Sequence, residues 1–332
     1  MTLDLAAYDQ RTVLITGGLG FIGSNLAMRL AAGSRANIRI ADSLHPSCGG
    51  NPRNLDGIAR SVQIHTLDLR DSLKLCEVIQ EVDVIFNLAG HVSHSDSMRV
   101  PLQDLGGNTE AQLCLLESCR ALNPRARIVY SSTRQFYGRP QRLPVDEDHP
   151  VLPVDINGVN KYAAELYHRI YYYVHGIETC CLRLTNTYGP RQLIRNASQG
   201  VVGWFFHQIL CNEEIVLFGD GKQIRDLNYV DCVVDAFLLA GVHPAAPGKI
   251  YNLGSTEPIS LLDLAELMIS ISGKGSFRFA PFPEEKRKID IGNYYGSFSR
   301  IQEELGWSPK VSLHDGIQRT LDFFDKNRSV YC

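Results

Sequence analysis

A chain of 332 residues with 33 Lys plus Arg against 36 Asp plus Glu, 44% hydrophobic residues and 28 glycines has ordinary globular makeup, which excludes disorder and collagen-like structure. The formal charge of -3 offers no basic face for nucleic-acid phosphates, although a few placed arginines suffice for a small anion. At roughly 100–200 residues per domain, the length suits one large or two fused domains. The nine cysteines, an odd number with no CxxC pair, read as reduced and mostly buried thiols. No basic stretch precedes an apolar segment at the start, and the longest apolar runs fall far short of about 18 residues, so a cytoplasmic protein without membrane contact is expected.

From Arg11 the run Thr12-Val13-Leu14-Ile15-Thr16 predicts a buried parallel strand, followed directly by a helix over 21–32. The alternation recurs, with strands over 38–41 and 62–65, a helix over 72–80 and a strand over 82–86. Helices follow over 108–122 and 160–174, with a strand over 127–131 between them. Repeated βα units imply an α/β protein with a doubly wound parallel sheet. After about residue 185 turn-rich stretches such as Phe218-Gly219-Asp220-Gly221 break this rhythm. A smaller α/β lobe built mainly from the C-terminal third is expected, with the chain crossing back to the first lobe at least once.

The first strand runs into Gly17-Gly18-Leu19-Gly20-Phe21-Ile22-Gly23, a GxxGxxG at the start of a helix. Gly17 permits the tight turn, Gly20 lets a pyrophosphate approach the backbone, and Gly23 allows close packing of helix on sheet. With strand and helix both in place, a dinucleotide site is the reading. Asp42 ends the second strand, where a carboxylate accepts from both hydroxyls of an adenosine ribose and repels a 2′-phosphate, which favours NAD over NADP. The competing role for Asp42 is a turn cap. Asp68, in Asp68-Leu69-Arg70-Asp71, is placed to accept from the adenine amine.

These landmarks, with Asn87-Leu88-Ala89-Gly90, Ser131-Ser132-Thr133, Tyr137-Gly138, Lys161, Asn186 to Pro190 and Arg225 to Asp231, span nearly the whole chain in order. In them the chain resembles the extended short-chain dehydrogenase/reductases that act on nucleotide sugars, in the manner of UDP-glucose 4-epimerases. The resemblance implies an NAD-binding Rossmann domain over 1–185, joined again by roughly 225–255, and a nucleotide-sugar lobe mainly over 186–332. It also implies an enzyme with tightly bound NAD that transiently oxidises a sugar hydroxyl, usually at C4. The cofactor residues carried over are Gly17, Gly20, Phe21, Ile22, Gly23, Asp42, Asp68, Leu69, Leu88, Ala89 and Lys161.

One position departs from the pattern. The family's general base is a tyrosine four residues before the lysine on one helix, its phenol pushed toward ionisation by nearby positive charge. Lys161 matches the lysine, but the tyrosine position is Asn157. An amide cannot take and return a proton near neutral pH. Another group supplies the base, or the protein binds without turning over, or the asparagine was introduced; the otherwise whole constellation favours retained redox chemistry. Thr133 matches the family's Ser/Thr that bonds the reacting oxygen. His91, His94 and Tyr137 are candidates for a displaced base, imidazole being suited by its titration near neutrality. Tyr162 is turned about 100° from Lys161 around the helix and away from the nicotinamide. His91 and His94 lack a third ligand of recognisable spacing, so no metal site is expected.

Arg134-Gln135 stands where the family's 4,6-dehydratases carry an Asp-Glu pair, which disfavours dehydration and favours epimerisation or oxidation. Arg134 suits an anionic sugar substituent, or an ion pair in its own loop. The substrate residues implied are His91, Thr133, Arg134, Asn186, Arg225 and Arg287, the last two as clamps on the diphosphate. Base recognition falls on 201–206 and 215–218. The helices over 108–122 and 160–174 are those through which the family forms a four-helix homodimer interface; Leu113, Leu116, Leu166 and Tyr173 fit that role and core packing equally.

Overall fold

Short β-branched and apolar runs that can be buried on both faces build the centre of the computed structural model, which describes residues 4–331. The first lobe contains β1 (Thr12–Thr16), α1 (Phe21–Gly33), β2 (Asn37–Asp42), β3 (Val62–Thr66), α2 (Ser72–Ile79) and β4 (Val84–Asn87). It continues with α3 (His94–Arg99), α4 (Pro101–Leu105), α5 (Ala111–Leu122), β5 (Arg127–Thr133), α6 (Ile156–His175) and β6 (Thr179–Leu184). There follow β7 (Asn186–Tyr188), α7 (Val201–Leu210), β8 (Glu214–Phe218), β9 (Ile224–Arg225), β10 (Leu227–Tyr229), α8 (Val230–Val242) and β11 (Ile250–Leu253). The last elements are β12 (Ile259–Ser260), α9 (Leu261–Ser272), β13 (Ser276–Ala280), α10 (Glu284–Lys288), α11 (Ser299–Leu305), α12 (Leu313–Lys326) and α13 (Arg328–Tyr331).

Seven strands form one parallel sheet in the order β11-β6-β5-β4-β1-β2-β3. The order reverses between β1 and β4, and in open sheets of this kind ligands bind beyond the strand ends at such a switch point. The chain returns to this sheet through α8 and β11, the latter pairing with β6. The smaller lobe holds three two-stranded pairs, β8 with β13, β9 with β12 and β7 with β10. One apolar cluster runs from Val13 and Leu26 through Phe237 to Phe205 and Phe324, and a second, with Leu14, Ile85 and Leu116, packs α2 and α5 against the sheet.

Two helix starts differ from the sequence expectation for local reasons. The helix expected from residue 160 begins at Ile156, because Asp155 Oδ1 accepts from Gly158 N–H at 2.7 Å and caps the end earlier. The helix expected from residue 108 begins as a continuation of α4 through a widened turn, Gly106–Glu110, before α5 proper. Gly107 brings this turn against His91, where a Cβ would lie 2.1 Å from Cδ2 and would have to displace the ring. The eight described cysteines are free thiols; four are buried, three half-buried and Cys211 exposed, fewer buried than expected, and Cys332 lies outside the described residues. Among the described residues, no helix is long and apolar enough to cross a membrane.

Candidate active site

A cleft of about 860 Å³ opens at the strand ends between the lobes. At its floor, Gly17 has φ +65°, and a Cβ there would lie 2.9 Å from Ala89 N. A Cβ on Gly23 would lie 2.5 Å from the Gly17 carbonyl oxygen. Side chains at these positions would fill the cradle or part α1 from the sheet. The N-cap of α1 is Gly20, with no side chain bonded to the first helical N–H groups, so those donors face the cleft with Phe21 and Ile22. A glycine-lined floor with available helix donors is what a pyrophosphate requires.

Asp42 serves as a turn cap and also stands on the cleft wall. Its carboxylate lines the cleft and also accepts from Leu19 N–H at 3.0 Å and Leu44 N–H at 2.9 Å. Burial pushes this carboxyl up, and the two backbone donors oppose that. Asp68 and Leu69 line the same wall, but both Asp68 oxygens are held by Arg70 at 3.0 and 2.7 Å, and the guanidinium keeps the carboxyl below its usual range. Leu88 and Ala89 are set against the floor by N–H bonds to Thr16 Oγ1.

The candidate reaction centre expected from the sequence lies where β5 meets α6. Lys161 Nζ donates to the Ser131 carbonyl at 2.8 Å, and burial pushes the amine down to about 8. Thr133 is half-buried on the wall, its Oγ1 accepting from Gln135 N–H at 3.2 Å. Asn157 is 2% exposed and lines the cleft one turn before Lys161. Its Nδ2 donates to the His91 carbonyl and to Asp104 Oδ2, each at 2.9 Å, which directs both amide protons into the protein.

Tyr137 does not reach this centre. It is fully buried, donates to Asn252 Oδ1 at 2.8 Å and accepts from Arg183, and burial pushes its phenol up; it is discarded as a displaced base. Tyr162 packs on the Phe136 ring, away from the cleft as expected. His91 and His94 go to different neighbours. His91 Nδ1 is 3.3 Å from Cys48 Sγ, and with His45 these donors lie within 4.8 Å of one another. The potential ligand set that local spacing did not reveal therefore joins His91 to two residues of the loop after β2, His45 and Cys48, and leaves His94 out. His94 instead places Nδ1 3.1 Å from Asp155 Oδ2.

At the far end, Arg134 is 9% exposed, stacks over the Tyr294 ring at 4.7 Å and donates from Nη2 to Asn186 Oδ1 at 3.2 Å. Its Nη1 is buried without a hydrogen-bond partner, and burial pushes the guanidinium pKa down. Arg134 therefore has no ion pair of its own loop. Arg225, also on the wall, donates to the Ile224 and Gly292 carbonyls and to Asp290 Oδ1 at 3.2 Å; burial and the nearby Arg134 lower it to about 10. Arg287 departs from expectation: it is exposed on α10 and lies outside the wall, 5.9 Å over the Phe282 ring. Its neighbour Lys286 faces the cleft, because consecutive helical residues point about 100° apart. Val201, Trp204 and Phe205 of α7 meet Val216 and Phe218 of β8 on the same wall.

The comparisons agree with this geometry. A family model described as NAD dependent epimerase/dehydratase family matches residues 13–254. The chain is 33% identical over 320 residues to a UDP-glucose 4-epimerase of Mycolicibacterium smegmatis, covering 95% of this chain and 99% of the relative. An epimerase structure from Methanothermobacter thermautotrophicus superposes with TM-score 0.91 at 26% identity, covering 99% of this chain and 96% of that one. The UDP-glucose 4-epimerase of Thermotoga maritima, solved with UDP-glucose, gives TM-score 0.87 at 29% identity, covering 96% and 99%. With the glycine cradle, the strand-end carboxylate and these likenesses in hand, the chain belongs to the NAD-dependent epimerase/dehydratase family, enzymes whose cofactor is NAD.

Proposed function

We propose that the protein is a nucleotide-sugar epimerase that transiently oxidises a ring hydroxyl, at C4, and reduces the resulting ketone from the opposite face. The observation that carries this reading is continuity: one cleft joins the glycine cradle, the Thr133 and Lys161 centre, and the Arg134, Asn186 and Arg225 cluster. NAD, when bound, supplies the hydride acceptor and donor. Gly17, Gly20, Phe21, Ile22 and Gly23 receive its pyrophosphate, and Asp42 its adenosine ribose. Asp68 and Leu69 border the adenine, and Leu88 and Ala89 border the nicotinamide half. Lys161 holds the nicotinamide ribose.

Thr133 orients the reacting hydroxyl, and His91 contributes to the wall beside it. Arg134, Asn186 and Arg225 hold the diphosphate-sugar portion, where the unpartnered Arg134 Nη1 calls for an anionic oxygen. Residues 1–185 with 225–255 form the cofactor domain in this reading, and 186–332 mainly the substrate lobe. A homodimer through α5 and α6 belongs to it too. Leu113 and Tyr173 are 36% and 67% exposed on these helices, whereas Leu116 is in the core and cannot contribute.

The test is purified protein with NAD and a panel of UDP-, dTDP-, CDP- and GDP-sugars, followed by NMR. Conversion of at least one sugar to its stereoisomer without net NADH is expected. Stoichiometric NADH would indicate a dehydrogenase. Tight binding of both ligands with no conversion would indicate a silent binding protein, the reading that the inward-locked Asn157 amide favours.

A further inference from the structure

The proposed epimerisation needs a group that takes and returns a proton, and the inference here rests on that reading. The ionisable groups on the wall near the reaction centre are few. Both His45 nitrogens have neighbours, Nδ1 at Ser47 Oγ and Nε2 at Gln103 Nε2. His91 Nδ1 is set against Cys48, and burial pushes the Cys48 thiol up to about 11. Lys161 is bonded to Ser131.

His94 differs. Its Nδ1 is buried 3.1 Å from Asp155 Oδ2, an ion-pair distance that falls short of hydrogen-bond geometry, while the side chain as a whole is 37% exposed and lines the cleft. With Nδ1 buried, Nε2 is the ring nitrogen left to meet a substrate. The Asp155 side chain is fully buried and is fixed by Gly158 N–H at 2.7 Å and Gln135 Nε2 at 2.8 Å. Gln135 N–H in turn donates to Thr133 Oγ1, so the carboxylate, the imidazole and the threonine share one scaffold. Burial works against ionised Asp155, but His94 and these donors outweigh it and hold the carboxyl below its ordinary range.

The other carboxylates packed around α3 are engaged elsewhere. Asp96 goes to Arg99 and Ser198, and Asp104 to Asn157 and Asn160.

We propose that His94 Nε2 is the proton acceptor and donor for the reacting sugar hydroxyl, with Asp155 as its positioning residue. In the oxidising direction the sugar O–H bond breaks and an N–H bond forms at Nε2. The C–H electron pair leaves as hydride to NAD, the carbinol becomes a ketone, and Asp155 balances the imidazolium. In the reducing direction Nε2 returns the proton to the ketone oxygen as the hydride comes back. An imidazole reached from α3 thus does the work that a phenol at position 157 does in the family.

The test combines two readouts. In nitrogen-15 NMR of the intact protein, His94 is expected to carry its neutral-form proton on Nδ1, a preference lost in Asp155→Asn. A proton on Nε2 in the wild type overturns the proposal. In steady-state assays His94→Gln is expected to lower kcat by about 10²–10⁴-fold. Calorimetric dissociation constants for NAD and nucleotide sugar should stay within about threefold. Asp155→Asn should lower kcat by about tenfold or more at unchanged KM. An active wild type with His94→Gln equally active overturns this inference alone. An inert wild type that binds both ligands overturns the epimerase reading and the proton transfer with it.

Discussion

Asn157 Nδ2 stands 2.9 Å from Asp104 Oδ2, so this side chain is a strut in the cleft wall. A tyrosine there would have to reach into the cleft and would leave Asp104 with Asn160 as its remaining amide donor. Asn157→Tyr is expected to destabilise the protein by about 1–3 kcal/mol, from a lost buried hydrogen bond, and not to raise turnover. Urea midpoints and kcat measured together check this; a more active variant of unchanged stability would contradict it.

In the proposed reading, Lys161 links cofactor binding to pH. Burial lowers its pKa to about 8 in the folded chain, so the charged form is disfavoured by folding. That cost is fully present below about pH 8 and is relieved as pH rises from there toward the ordinary lysine value. A ligand that bonds the ammonium restores the charge. Binding of NAD at pH 8 is therefore expected to take up about half a proton, and close to none at pH 6.5. Calorimetry in buffers of different ionisation enthalpy measures the uptake, and Lys161→Met should abolish it.

Arg134 should show opposite effects on the free and loaded protein. Its buried Nη1 has no partner, so Arg134→Met is expected to leave the ligand-free protein as stable or more stable. The same change removes a charge-assisted contact worth about 1.5–3 kcal/mol, which weakens nucleotide-sugar binding by about 10–100-fold and leaves NAD affinity alone. Thermal melts and calorimetry separate the two. Equal loss of both ligands would show general damage to the cleft.

Beneath the reaction centre, Arg183 grips Glu165 through Nη2 at 2.6 Å and Nε at 3.0 Å, with side-chain exposures of 4% and 0%. Ser132 Oγ donates to the same carboxylate at 2.6 Å. This ties β5 and β6 to α6 under Thr133 and Lys161. Glu165→Gln leaves Arg183 charged and poorly paired in the interior, and a loss of about 3–5 kcal/mol is expected in chemical denaturation. A change below about 1 kcal/mol would show that the pair contributes little to the platform.

Local pattern alone settled the Rossmann half, because a buried parallel strand, a glycine turn and an amphipathic helix are each encoded within a few consecutive residues. Thr12 to Gly23 could be read as strand, cradle and helix without reference to anything distant, and the absence of tyrosine at position 157 was equally plain. What local pattern could not decide was partnership across the chain. Arg225 and Arg287 look alike in sequence, yet Arg225 is buried on the cleft wall and Arg287 is exposed on α10 outside it. His91 and His94 are three residues apart, but tertiary structure sends one to Cys48 and the other to Asp155. The helix cap at Asp155 and its approach to His94 join segments some sixty residues apart, and only the packing of α3 against α6 brings that carboxylate to the imidazole.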